Sequence, residues 1–244
     1  FLAAYQQRRD TAELALAEGE LLAAALRVLA AFVDFCAAEE RLYPALAALR
    51  LAQALAQQVQ PGESTLRQLP FFDAARVERC RAAGLPELND FLAAEEPARE
   101  RLLDDLAPAE VALIAQFANR FPAAELRTTG RMERTGAGWE VTADCVLLRE
   151  GDEEDVLAPV RTLAPLLDLS EQWWLLLADK ANNALLCAKR VTVRGHETRR
   201  QLRFVSEQPP PAALTVFAVC AVYLGCDAEV PLPLPPPLSE NSEQ

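Results

Sequence analysis

Histidine, methionine and lysine are almost missing from these 244 residues: one His (His196), one Met (Met132) and two Lys (Lys180 and Lys189). A single histidine excludes a Cys/His zinc module, and the six cysteines, at 36, 80, 145, 187, 220 and 226, form no CxxC pair. His196 lies in an Arg-Gly-His-Glu turn, where exposure rather than catalysis is expected. No GxxxxGK[ST] loop is present and neither lysine follows a glycine-rich segment, so nucleotide hydrolysis has no machinery here. No GxSxG elbow occurs either. No apolar run approaches membrane-spanning length, and the start, FLAAYQQRRDTAE, turns charged too soon for a signal peptide. With its only methionine internal, the chain reads as a piece of something longer. Catalytic, cofactor and metal residues are all expected to be none.

What is present points to a packed, acidic protein. Half of the residues are hydrophobic (51%), enough for real cores, and the length allows one large or two to three small domains. Net charge is −12, so the surface as a whole repels phosphate backbones. Cys145, Cys187 and Cys220 sit inside apolar runs, where buried, reduced thiols are the ordinary state. Cys145, Trp173 and Cys220 do follow the order of an immunoglobulin pin. The interval from Cys145 to Trp173 is long for that motif, and nothing indicates secretion, so an intracellular chain is expected.

Residues 1–61 read as the C-terminal part of a helical bundle. Asp10 and Glu13 make a capping pair ahead of a long helix with Leu14, Leu21, Leu22, Leu26, Leu29, Phe32, Val33 and Cys36 at helical spacing. A second helix is predicted from Pro44 to a stop at Pro61-Gly62. Residues 62–122 continue as short helices: a turn at Leu66–Leu69, a helix capped by Asp73 and ended by Gly84, another from Pro86, and two more from Pro97 and Pro108. The pair across Gly84 is a helix–loop–helix similar to helix-hairpin-helix nucleic-acid modules, with Arg67, Arg76, Arg79 and Arg81 as a local basic patch. A solvated helix face is the preferred reading of that patch over an RNA contact, since residues 61–122 carry seven Arg against eleven Asp and Glu.

From residue 123 to 238 the pattern becomes strands: 125–134, 139–149, 156–160, 172–179, 185–193, 199–205, 214–222 and a last edge at 230–234. Short antiparallel strands with Pro/Gly punctuation predict a fibronectin-III or immunoglobulin-like β-sandwich. The fold class is thus multi-domain, α then all-β. Gly151–Asp155 is an acidic loop read as a solvated turn rather than a calcium site, and 239–244 as a disordered acidic tail. Glu171–Val193 reads as a buried hairpin across an Asp179, Lys180, Asn182, Asn183 turn. Adjacent strand residues face opposite ways, so Trp173 and Trp174 cannot both lie in one sheet's core. One is left for a second layer of the same chain or for a partner, which makes Trp173, Trp174, Lys189 and Arg190 the candidate protein-interaction residues.

Five segments carry a more specific resemblance. They are Leu42–Leu49 (LYPALAAL) with Leu51-Ala52-Gln53; Gln68–Phe72 (QLPFF) with Arg79-Cys80 and Gly84; Phe117–Pro122 (FANRFP) with Glu125-Leu126; Trp173-Trp174 with Asp179, Asn183, Leu185 and Lys189-Arg190; and Tyr223–Asp227 (YLGCD) with Glu229. Together they resemble the Sec-sixty-three-like unit that follows each helicase cassette in one group of large RNA helicases of the Ski-two-like superfamily. Within it the chain is similar to the second, C-terminal unit of the spliceosomal U5 snRNP branch.

The resemblance implies a non-catalytic accessory and protein-interaction unit of an inactive cassette, within a parent that unwinds the U4/U6 duplex during spliceosome activation and pre-mRNA splicing. It implies a nuclear location and ATP only in the parent's helicase cassettes. As partners it implies the parent's own helicase domains and spliceosomal proteins, with RNA weak or none and no membrane. The alternatives it leaves are an RNA-contacting unit of an active cassette, with Arg27 of the long helix near a channel arginine, or the related unit of an endoplasmic-reticulum translocation component.

Overall fold

The computed structural model describes residues 12–234 apart from 137, 153–159, 161–168 and 212. The expected strand at 156–160 except Val160, most of the acidic loop, the tail at 239–244 and the Asp10 cap lie outside the described residues. A long helix α1 (Ala12–Ala38) turns back through Glu39–Arg41 into α2 (Leu42–Gln57), and the two pack side by side. A 3-10 turn (Thr65–Gln68) then leads to α3 (Ala74–Ala82), α4 (Leu88–Ala93), α5 (Glu96–Leu102) and α6 (Pro108–Arg120).

Two antiparallel sheets follow. Strands β1 (Ala124–Thr135), β2 (Gly138–Arg149) and β5 (Glu197–Ser206) form one sheet in the order β1-β2-β5. Strands β3 (Gln172–Asp179), β4 (Ala184–Thr192), β6 (Leu214–Cys220) and β7 (Ala228–Leu232) form the other, in the order β4-β3-β6-β7. This three-plus-four arrangement is the expected β-sandwich. The period of two works as predicted on β2, where Val141, Ala143, Cys145 and Leu147 are all buried toward the core. At the tip of the β1–β2 hairpin Gly138 has φ +121°, and a Cβ there would stand 2.3 Å from the Ser206 carbonyl oxygen, so only glycine fits.

Strand β3 has no polar face because both its faces are covered. Trp173, Leu175 and Leu177 enter the sandwich core, which runs on without a break into Leu66, Phe72, Cys80, Phe91 and Phe117 of the helix–loop–helix region. Trp174, Leu176 and Ala178 point the other way, against Val33 and Cys36 of α1 and Leu42, Ala45 and Leu49 of α2. A strand buried on both sides reads as a continuous apolar run, which is what residues 173–178 show.

The ends of α2 differ from expectation. It begins at Leu42, not Pro44, and stops at Gln57, four residues before Pro61. Gln58 takes the left-handed conformation (φ 55°) that usually needs glycine, while the Val59 N–H bonds back to the Ala54 carbonyl at 2.9 Å. At the start, Arg41 gives no side-chain cap. The cap comes from the β3–β4 turn instead. Asn183 accepts from the Leu42 N–H through its carbonyl (3.1 Å) and from the Tyr43 N–H through Oδ1 (2.8 Å). Asp179 shapes that turn, its carboxylate accepting from the N–H groups of Ala181 and Asn182 and from Asn182 Nδ2.

One expectation fails on α1. Its segment Glu18–Ala38 is long and apolar enough, by length and composition, to cross a membrane. Leucine and alanine density produces this, although charged residues interrupt the run. In the structure the helix is committed on one side, where Leu22, Val33 and Cys36 are buried.

Candidate interaction surfaces at the helix–sandwich junction

Of the two alternatives for the second tryptophan, the structure takes the second layer of the same chain and not the partner. Trp173 is 0% and Trp174 2% exposed, because the α1–α2 pair supplies the second layer that the sequence left open. Neither is available to a partner. Arg190 closes the edge of this layer, its guanidinium 4.7 Å from the centre of the Trp174 ring and 3.4 Å from Asp34 on α1. Lys189 donates to the Gln201 carbonyl at 2.8 Å, tying β4 to β5 of the facing sheet. Both cations keep exposed side chains.

The basic patch is also rearranged by folding. Arg76 is buried and forks onto Asp105, with Nη1–Oδ1 at 3.0 Å and Nη2–Oδ2 at 3.1 Å, while also donating to the Phe71 and Leu102 carbonyls. Arg79 reaches the same Asp105 at 2.9 Å. Hydrogen bonds from Arg79 and then Arg76 hold the Asp105 carboxyl down to about 2. Arg67 donates to the Phe72 carbonyl and Arg81 pairs with Glu78. The structure therefore gathers Arg76 and Arg79 on Asp105, Arg76 beneath the surface and Arg79 still exposed on it. Arg76 cannot meet a phosphate without being unburied.

The hairpin itself is spent in the same way. Gly84 is in the left-handed region (φ +80°), and the N–H groups of Ala83, Gly84 and Leu85 donate to carbonyls of Cys80 and Arg81 at the end of α3. A phosphate-gripping hairpin needs such N–H groups turned outward. Arg27, by contrast, is exposed and lines a 470 Å³ cavity with Asp34, Trp174 and Arg190.

Residues quoted only as part of a fingerprint turn out to join the parts. Tyr223 is buried edge-on between Phe117 (5.7 Å) and Phe121 (5.6 Å) at the end of α6. The Gln68 side chain and the Leu224 backbone exchange two hydrogen bonds of 2.9 Å, and Asn89 donates to the Gly225 carbonyl at 2.7 Å. Gln53 of α2, fully buried, donates to the Cys220 carbonyl (2.7 Å) and to Asp227 Oδ1 (2.9 Å). Asp227 keeps surface open to solvent, yet protein crowds it closely enough to push its carboxyl up to about 6 against the pull of Gln53 and the Cys220 N–H.

Below this junction lies a buried ion pair, Arg149 Nε to Glu171 Oε2 at 3.2 Å, which also binds the Arg120 carbonyl and accepts the Trp173 indole N–H on Glu171 Oε1. The spacing of Arg149, Glu171 and Trp173 in the chain carries no signal for this network. All six cysteines are free, and burial pushes the Cys145 thiol up to about 12, leaving it protonated and inert. Among the described residues no group of His, Cys, Asp and Glu could hold a metal ion.

Large apolar side chains also stay exposed. On α1, Leu21, Val28, Phe32 and Phe35 form an exposed stripe, with Phe32 and Phe35 stacked at 6.1 Å. On α2, Tyr43 and Leu51 are exposed beside two cavities.

Residues 10–233 match the family described as the Sec63 Brl domain. The chain is 33% identical over 222 residues, 90% of its length, to the U5 small nuclear ribonucleoprotein 200 kDa helicase of Homo sapiens. It is 33% identical over 213 residues to the protein of the same name from Drosophila melanogaster. It is 32% identical over 222 residues to the DExH-box ATP-dependent RNA helicase DExH12 of Arabidopsis thaliana. Each alignment covers 86–90% of this chain and 10% of the relative, so the chain spans about a tenth of the length of the curated relatives it matches.

Proposed function

The chain belongs to the Sec63 Brl domain family, and we propose that it is the non-catalytic accessory and protein-docking unit of a U5-type spliceosomal RNA helicase, acting in the nucleus. In this reading it sits in the C-terminal cassette, where unwinding of U4/U6 is left to the other cassette and this unit holds proteins. The exposed apolar stripe of α1 faces the parent's own helicase domains. Spliceosomal proteins take the surfaces nearer the sandwich.

The observation that carries the reading is the fate of the basic patch. All four of its arginines are paired with carboxylates of the same chain, and Arg67 also donates to a backbone carbonyl. An RNA grip also has to overcome a net charge of −12. Fluorescence anisotropy with labelled single-stranded RNA tests this directly. No saturable binding is expected even near 50 mM salt. Binding that weakens steeply between about 50 and 200 mM salt would show phosphate contacts and assign the unit to an RNA-contacting role.

A further inference from the structure

Two cavities, of 440 and 580 Å³, adjoin along the solvent side of α2 and share Ala47, Arg50 and Asp227. Tyr43, Leu46 and Phe217 wall the first, and Leu51, Val59 and Leu224 wall the second. The charged residues toward the outer ends are already paired, Lys180 with Glu229 and Glu63 with Arg67. The middle is not. The Arg50 side chain is exposed and makes no hydrogen bond or ion pair among the described residues, and it acts on Asp227 only through its field. Asp227 spends Oδ1 on the N–H groups of Cys220 and Gln53, both at 2.9 Å, while Oδ2 takes only the longer 3.1 Å limb from Gln53.

An open donor beside an open acceptor, with an apolar hollow on each side, is complementary to extended backbone. In a strand the N–H and C=O of one residue point the same way, and its two neighbours present their side chains together on one face, about 6.6 Å apart. We propose that this groove docks an extended segment of a partner protein, Arg50 donating to the C=O and Asp227 accepting from the N–H of one residue, with large apolar side chains just before and after it filling the two cavities. The carboxylate at the centre excludes a phosphate backbone, and a free acid is disfavoured by the same charge. The proposal rests on the protein-docking reading above and names its surface and its partner's chemistry.

A random heptapeptide library displayed on phage and selected on the full 244-residue chain tests it. Enrichment of peptides with two large apolar residues separated by one position is expected. A fluorescein-labelled synthetic hit should lose about tenfold in affinity with Arg50→Ala or with Asp227→Asn, which keeps the Oδ1 acceptor but replaces Oδ2 by a donor. N-methylation of the intervening residue should weaken the hit on the native chain and add nothing on Asp227→Asn. Native-like circular dichroism spectra and cooperative melts establish that both variants fold. The proposal is overturned by failure to enrich, by hits indifferent to both substitutions, or by hits whose binding requires a carboxylate or helical spacing. Concentration-dependent self-association abolished by Arg50→Ala would overturn it in favour of a second copy. Hits that map to another surface remove the groove and leave the docking reading standing, whereas salt-dependent RNA binding removes the reading itself.

Discussion

Replacing Glu171 by Gln should be among the most damaging isosteric changes available to this chain. Arg149 and Glu171 have side chains only 2% and 6% exposed, so water cannot take over a lost partner. Glu171 accepts from two donors, Arg149 Nε at 3.2 Å and Trp173 Nε1 at 2.8 Å. An amide has one acceptor and one donor end, so in either orientation Gln turns N–H groups against an existing donor. The guanidinium would keep the Arg120 and Glu150 carbonyls but lose its only bonded carboxylate among the described residues. Breaking a buried pair from one side costs about 3–5 kcal/mol, a large share of the roughly 5–15 kcal/mol that holds a domain together. Urea unfolding followed by tryptophan fluorescence and far-ultraviolet circular dichroism measures it, with Trp173 as a reporter at the site. The paired change Arg149→Met with Glu171→Leu should cost less than Glu171→Gln alone, because no naked charge is left behind. A single change costing under about 1 kcal/mol, or a double change costing the sum of the singles, would refute the reasoning.

Trp174→Ala should cost about 3–5 kcal/mol and raise amide exchange in α1 and α2 before it does so in the sandwich; a stability change within about 0.5 kcal/mol would contradict its burial beneath the helices. Asn183→Ala removes the Oδ1 cap from Tyr43 and should cost about 0.5–2 kcal/mol, visible as faster exchange at the start of α2. Asp227 sets a pH signature. With a folded value of about 6 against roughly 3.9 unfolded, the native state binds the extra proton between those values, so the contribution of Asp227 to stability falls as pH rises from about 4 to 6. Thermal melts of Asp227→Asn across that window should be flatter than those of the native chain, and identical slopes would exclude the assignment.

The succession of helices and then strands along the chain was legible because the signals are local. Alternation on β2 and the Gly and Pro stops between the short helices repeat within a few residues, and the structure reproduces them. Several of the misread or open points involve partners far away in sequence. Arg76 looked like an exposed base because its acceptor, Asp105, lies 29 residues on. The layer over Trp174 stayed unassigned between chain and partner because its covering helices come some 130 residues earlier and are rich in alanine, whose small side chains give a faint amphipathic signal. The start of α2 was placed at proline, the strongest local marker, whereas a turn 140 residues away decides it. Gln53 and Asp227 were visible as letters of a pattern, and only the fold shows that they bond each other.

The borrowed cap on α2 reaches into synthesis. A ribosome adding about 5–20 residues per second releases Asn183 on the order of ten seconds after Tyr43, the two lying 140 positions apart. Throughout that interval the first N–H groups of α2 have no partner from their own neighbourhood, and the apolar faces of α1 and α2 have no sheet to rest on. The helical pair must wait, half-made and sticky, for the hairpin that completes it. Nascent chains stalled before residue 183 should therefore be the ones that chaperones hold, and those stalled well beyond it the ones they release.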